Sequence, residues 1–217
     1  MRSLVGPLVC RATETIGRAH CQCPRLISLH HAGRRLVAGQ HAKVPGLEGR
    51  RPVARWVKGE RTVQYLVERA RLESFEAGDL GGLANALVVR AARRVETTAT
   101  AALAGGDVDG AYVAAYDAYR MAAEALLARQ GLRATGGDGS HMAVEDAVAA
   151  QFAADIPEFA KPTFERFRRT RHSAQYFDPD AAPIAGADAS WAMAKATAVV
   201  SGASELLASS SPPGRFD

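Results

Sequence analysis

Residues 166–177 read RFRRTRHSAQYF and gather Arg166, Arg168, Arg169, Arg171, His172 and Tyr176 beside Phe167 and Phe177. Arginines hold phosphate or carboxylate oxygens through forked N–H donors. A histidine exchanges protons near neutral pH, whereas a tyrosine, with a pKa near 10, does so poorly. This set suits an anionic ligand and, with a competent histidine, acid–base chemistry on a phosphodiester. The bland alternative is a solvated basic face: Glu165 is within reach of Arg168 and Arg169 along a helix. His141, in Gly139-Ser140-His141, most simply belongs to a helix-start loop.

The other histidines and all three cysteines give a weaker signal. Cys10, Cys21, Cys23, His20, His30, His31 and His41 cluster in the N-terminal quarter. His20-Cys21-Gln22-Cys23 crowds three ligand types together, with no second C-x2-C or H-x3-H pair to complete a zinc site. No metal and no cofactor are therefore expected. An odd cysteine count outside the main domain is not a disulfide framework. No apolar run reaches the length of about 18 residues that a spanning helix needs. The expectation is a cytoplasmic chain with no membrane association.

The net charge of +4 is unevenly spread. Residues 1–52 hold nine Lys and Arg against Glu14 and Glu48, so the remainder is slightly acidic. The main domain has no strong overall positive field to recruit a polyanion, which places the burden on local clusters. Residues 1–56 show no sustained period and read as a basic, disordered extension. Residues 57–208 read as one helical domain, and SSSPPGRFD within 209–217 as a disordered tail.

Helical patterns positioning the basic cluster span 59–76, 79–104, 108–130, 141–154, 156 to Asp178-Pro179 with a restart at Pro162, and 189–208. No segment after residue 57 reads as a strand. Asp107, Ser140, Asp155 and Asp188 are the expected N-terminal caps, and the second helix is expected to start near Asp79. Leu80, Leu83, Leu87, Ala91 and Val95 form the expected inner face of the second helix. Tyr112, Tyr116, Tyr119, Ala123 and Leu126 form that of the third, and Ala192, Ala196, Val199, Ala203 and Leu206 that of the last. The fold class predicted is all-α: an antiparallel, up-and-down four-helix bundle from the four long patterns, with two additional helices.

Three segments resemble the HEPN superfamily (higher eukaryotes and prokaryotes nucleotide-binding domains), in particular its small stand-alone prokaryotic members. Gly106-Asp107 followed by AYVAAYDAYRMAAEALLARQG resembles the family's second helix. Gly139-Ser140-His141-Met142-Ala143 is similar to its histidine-containing loop. Arg171-His172-Ser173-Ala174-Gln175-Tyr176, followed by Asp178, is similar to an Arg-x-x-Ala-x-Tyr signature in one branch. Together they cover about residues 79–208.

The resemblance implies a helical bundle that works as a homodimer in a toxin–antitoxin or related defence system. Many members are metal-independent endoribonucleases, with a small nucleotidyltransferase as antitoxin. Their signature is an arginine, a polar residue and, four to six places after the arginine, a histidine. Two registers fit. In one, Arg171 is the family arginine, His172 its polar follower, and Tyr176 stands where the catalytic histidine is usual. In the other, Arg166 is followed at the right spacing by His172, but Phe167 replaces the polar follower. Ala174 and Tyr176 favour the first. The implied catalytic set is Arg171, His172 and Tyr176, with Arg166, Arg168 and Arg169 as phosphate contacts. The antitoxin of some pairs adds AMP to a tyrosine near the motif, which makes Tyr176 or Tyr119 a candidate acceptor. Tyr176 in place of histidine keeps open a non-catalytic, nucleotide- or protein-binding role beside a nucleotidyltransferase.

Helix geometry adds a constraint of its own. At about 100° per residue, Arg171 shares a face with Phe164, Phe167 and Ala174, and His172 is turned about 100° away. Tyr176 lies about 140° from Arg171 on an ideal helix, so the two act together only if the helix distorts or a partner supplies its copy.

Overall fold

The computed structural model describes residues 56–137, 139–175 and 182–216, without the side chains of Ser173 and Gln175. The basic extension with its cysteines and histidines, and Tyr176, lie outside the described residues. The described chain is all-α apart from one short ribbon. Its elements are α1 (Glu60–Glu68), β1 (Leu72–Ser74), α2 (Leu80–Arg93), a π-helical stretch Arg94–Ala99, α3 (Thr100–Ala104), α4 (Val108–Arg129), β2 (Leu132–Ala134), α5 (Ser140–Phe152), a 3-10 turn Pro157–Phe159, α6 (Lys161–Gln175) and α7 (Gly186–Ala208).

The hub is α4. Asp107 caps it as expected, its carboxylate accepting the Gly110 N–H at 2.8 Å. Alanines favour the helix and keep its surface low enough for neighbours to approach. Ala111, Ala115, Ala118, Ala122 and Ala125 are fully buried. Tyr112, Tyr116, Tyr119, Ala123 and Leu126 are buried too, as expected. A helix buried on so many sides must be surrounded, and α2, α5, α6 and α7 all pack on α4. Its broadest contact is with α7, where Ala189, Ala192, Ala196, Val199 and Ala203 are fully buried.

The inner face of the second helical pattern is as expected at Ala91 and Val95 and differs toward its start. Ala84, Val88, Ala91, Val95 and Ala99 are buried, while Leu83 is 39% exposed. The small residues turn toward the alanine-rich α4 and α7, where backbones come close. Leu83 and Leu87 lie to the side, over Leu127 and Leu132. Asp79 caps α2, accepting the Gly82 N–H at 2.8 Å.

Strands β1 and β2 correct the expectation of no strand. They pair antiparallel, with Leu72 opposite Ala134, Glu73 opposite Arg133 and Ser74 opposite Leu132. Three residues each are too few to carry a period-2 signal. Burial of Leu72 and Leu132 anchors them. The first helix accordingly stops at Glu68: Ala70 adopts φ 50, and the Arg71 N–H returns to the Leu66 carbonyl at 2.8 Å. Gly131, at φ +76, turns the chain out of α4. A side chain there would be strained and would crowd the Phe75 carbonyl at 3.2 Å.

Three expected caps are replaced. α5 begins from Gly139 in a left-handed conformation, with Ser140 already inside the helix. Asp155 pairs with Lys58 at 2.7 Å. Asp188 lies in the first turn of α7 and pairs with Arg166 at 2.9 Å. The C-terminal segment, expected to be a disordered tail, returns to the body. The Phe216 N–H donates to the Gln130 carbonyl at 3.1 Å, and Arg215 pairs with Glu76.

Candidate functional site

Phe167 sets the orientation of α6. It is fully buried, with ring centroids 4.6 Å from Tyr119, 4.9 Å from Trp191, 5.8 Å from Tyr112 and 5.9 Å from Tyr116. Phe164 lies 4.8 Å from Tyr119 in an edge-on contact. With both phenylalanines turned inward, Arg171, four residues beyond Phe167, lies over the same core. This is the face the sequence predicts for it.

Arg171 borders an open cleft of about 600 Å³. Tyr116 of α4, His141 at the start of α5, and Arg168, Arg169 and His172 of α6 line it too, with Gly139, Met142 and Glu165. The Arg171 guanidinium carbon stands 5.0 Å from the centre of the Tyr116 ring. Its Nε is buried and makes no hydrogen bond among the described residues. A buried N–H donor without an acceptor is costly and suits an anion that would supply one.

His141 is held between two elements. Its Nδ1 lies 2.9 Å from the Tyr116 hydroxyl, and Arg120 Nη1 lies 3.2 Å from each ring nitrogen. Arginine has no acceptor, so a ring nitrogen bonded to it must present a lone pair. Burial, reinforced by the charges of Arg120 and Arg171, moves the imidazole pKa below its ordinary value. His141 is therefore neutral at pH 7, a state that accepts protons. Burial pushes the Tyr116 hydroxyl up to about 12, so it serves as a shelf and hydrogen-bond partner, not a base.

Two of the cleft arginines share one carboxylate. Glu165 pairs with Arg168 at 2.6 Å and with Arg169 at 3.4 Å, and Arg168 first among them holds its carboxyl below the usual range. With Arg171 included, the cleft keeps an excess of positive charge, which favours an anionic ligand.

Sequence reasoning missed Glu145. It lies one turn after His141 on α5, hence on the same side of that helix. Its Oε1 is buried with no hydrogen-bond partner among the described residues, and burial pushes the carboxyl up to about 7. The four-residue spacing from His141 is the signal that pointed to it, but burial was needed to give it meaning.

The remaining predicted residues divide. Arg166 is turned away from the cleft: its guanidinium stacks 3.9 Å from the Trp191 ring centre and pairs with Asp188, tying α6 to α7. That pairing gives Arg166 a role linking α6 to α7, and Arg166 is not among the residues lining the cleft. Tyr119 is fully buried and its hydroxyl donates to the Glu158 carbonyl at 2.6 Å, so accepting AMP there would require opening the core. His172 is exposed at the cleft edge. Tyr176, the other candidate acceptor, lies outside the described residues. No group of three His, Cys, Asp or Glu side chains is arranged to hold a metal ion among the described residues. None of their helices is long and apolar enough to cross a membrane.

Comparison with protein-family models, with curated proteins and with solved structures finds no match.

Proposed function

We propose that this is a HEPN-like helical protein of a toxin–antitoxin or defence system that binds an RNA phosphate in the Arg171 cleft and cleaves the chain without a metal. The observation that carries this reading is the Arg171 guanidinium, shelved on Tyr116 with a buried Nε that has no partner among the described residues, in one cleft with two imidazoles. In this scheme neutral His141 takes the proton from a ribose 2′-hydroxyl. The freed oxygen forms a bond to phosphorus, and the bond from phosphorus to the 5′-oxygen breaks. A proton delivered through His172 or water goes to that leaving oxygen, and Arg171 steadies the charge on the phosphate. The products are a 2′,3′-cyclic phosphate and a 5′-hydroxyl, and a homodimer is the working form.

The test is incubation of the purified protein with total RNA and a chelator, beside Arg171→Ala, His172→Ala and His141→Ala. Cleavage persisting with chelator and falling at least about 100-fold in Arg171→Ala supports the reading. Cleavage that is absent, or unchanged in all three variants, removes the enzyme. A second reading, a nucleotide- or protein-binding partner of a small nucleotidyltransferase without cleavage, rests on Tyr176 at the usual histidine position. Co-purification with such an enzyme, with no cleavage, supports it; intact mass of the co-expressed protein tests AMP addition at Tyr176.

A further inference from the structure

The cleft continues beyond α5. On the far side of Gly139 and Met142, which border both spaces, a second hollow of about 390 Å³ opens beside Tyr65, Arg69 and Arg71. Gly139 keeps the passage low. Its φ of +82 is strained for other residues, and a side chain there would meet the Arg71 guanidinium at 2.6 Å. Met142 is 52% exposed and forms an apolar saddle between the two spaces.

Tyr65 is the unusual residue of the second hollow. It is 53% exposed, and the Arg69 guanidinium carbon lies 5.2 Å from its ring centre. Asp146 supplies a carboxylate on the same wall, but it is tied to Lys161 at 2.8 Å. An exposed aromatic ring with a guanidinium held over one face offers its remaining surface, and the guanidinium itself, for stacking by an unpaired base. A row of arginines leading away from it follows a phosphate backbone. A duplex keeps its bases stacked on one another and offers no free face to such a ring.

We propose that the Tyr65–Arg69 hollow is a base-stacking subsite for single-stranded RNA, the strand crossing Gly139 and Met142 to reach Arg171. This rests on the reading above, that an RNA phosphate occupies the Arg171 cleft.

Fluorescence anisotropy with a labelled dinucleotide, a single-stranded octanucleotide and a blunt duplex of the same sequence tests it, using the full chain at fixed salt. The octanucleotide is expected to bind at least about tenfold more tightly than the dinucleotide. Tyr65→Ala is expected to weaken octanucleotide binding by about 5- to 100-fold, the worth of one stacked base. It leaves dinucleotide binding unchanged, and Tyr65→Phe retains most of the gain. Tyr65 lies on the surface, so circular dichroism should find the variants folded. An octanucleotide that binds no better than the dinucleotide, is indifferent to Tyr65→Ala, or is matched by the duplex overturns the subsite. Dinucleotide binding that is lost in Arg171→Ala would in those cases leave the cleft reading intact. No binding of any oligonucleotide removes both.

Discussion

The Arg171 guanidinium lies over the Tyr116 ring at 5.0 Å, while its own Nε is buried without a hydrogen-bond acceptor among the described residues. The ring fixes the position of the charge without supplying an acceptor to Nε. Arg171→Ala is therefore expected to weaken RNA binding by about 10- to 100-fold, the worth of a hydrogen bond to a charged group. Arg171→Lys should recover only part of this, because an ammonium lacks the planar fork. Binding isotherms at one salt concentration decide the point, and equal affinity for all three proteins would refute it.

His141 and Arg120 form a second testable pair. The Arg120 charge helps to hold the imidazole pKa below its ordinary value. Arg120→Gln should raise that pKa, and with it the midpoint of His141 protonation. An NMR titration of the His141 ring protons reads this directly. A midpoint that stays put would show that burial, the largest cause, and the Arg171 charge account for the shift without Arg120.

Glu145 predicts a pH dependence of stability. Its carboxyl is neutral in the fold up to about pH 7, against an ordinary value of 4.5. The folded state thus binds the extra proton across that window, and stability contributed by this group falls as pH rises through it. Glu145→Gln keeps the neutral shape and should flatten the fall between pH 5 and 7.5. Glu124, raised by burial as well, adds a slope of the same sign that the variant retains. Denaturant midpoints at several pH values measure the difference; a wild-type slope that survives in Glu145→Gln contradicts the assignment.

Phe167 is fully buried and touches four aromatic rings. Phe167→Ala should cost about 3–5 kcal/mol of stability, from lost burial and the remaining cavity. Because Phe167 also orients α6, the variant should lose RNA binding even where it stays folded. Phe167→Leu should cost less and retain binding. Urea unfolding separates the two effects.

The sequence alone determined the long helices and the side of α6 on which Arg171 lies. Asp107 followed by alanines and tyrosines at helical spacing specifies α4 locally, through a cap and a repeating apolar face. Phe164 and Phe167 orient α6 by the same periodicity, so the position of Arg171 was legible too. Strands β1 and β2 were not, because three-residue strands are stabilised by each other, across Gly131, and carry no pattern of their own. The inner face of α2 turned on how closely α4 and α7 approach. The site itself divides along the same line. Its arginines were visible as a cluster, but whether each points at ligand, carboxylate or ring depends on neighbours distant in the chain. Trp191 and Asp188 claim Arg166, Glu165 engages Arg168 and Arg169, and Tyr116 lies beneath Arg171. The bond between His141 and Tyr116, the burial of Glu145 and the passage toward Tyr65 exist only once α1, α4, α5 and α6 meet. A residue's type and spacing carry its chemistry, but the desolvation and the partners that tune that chemistry come from packing.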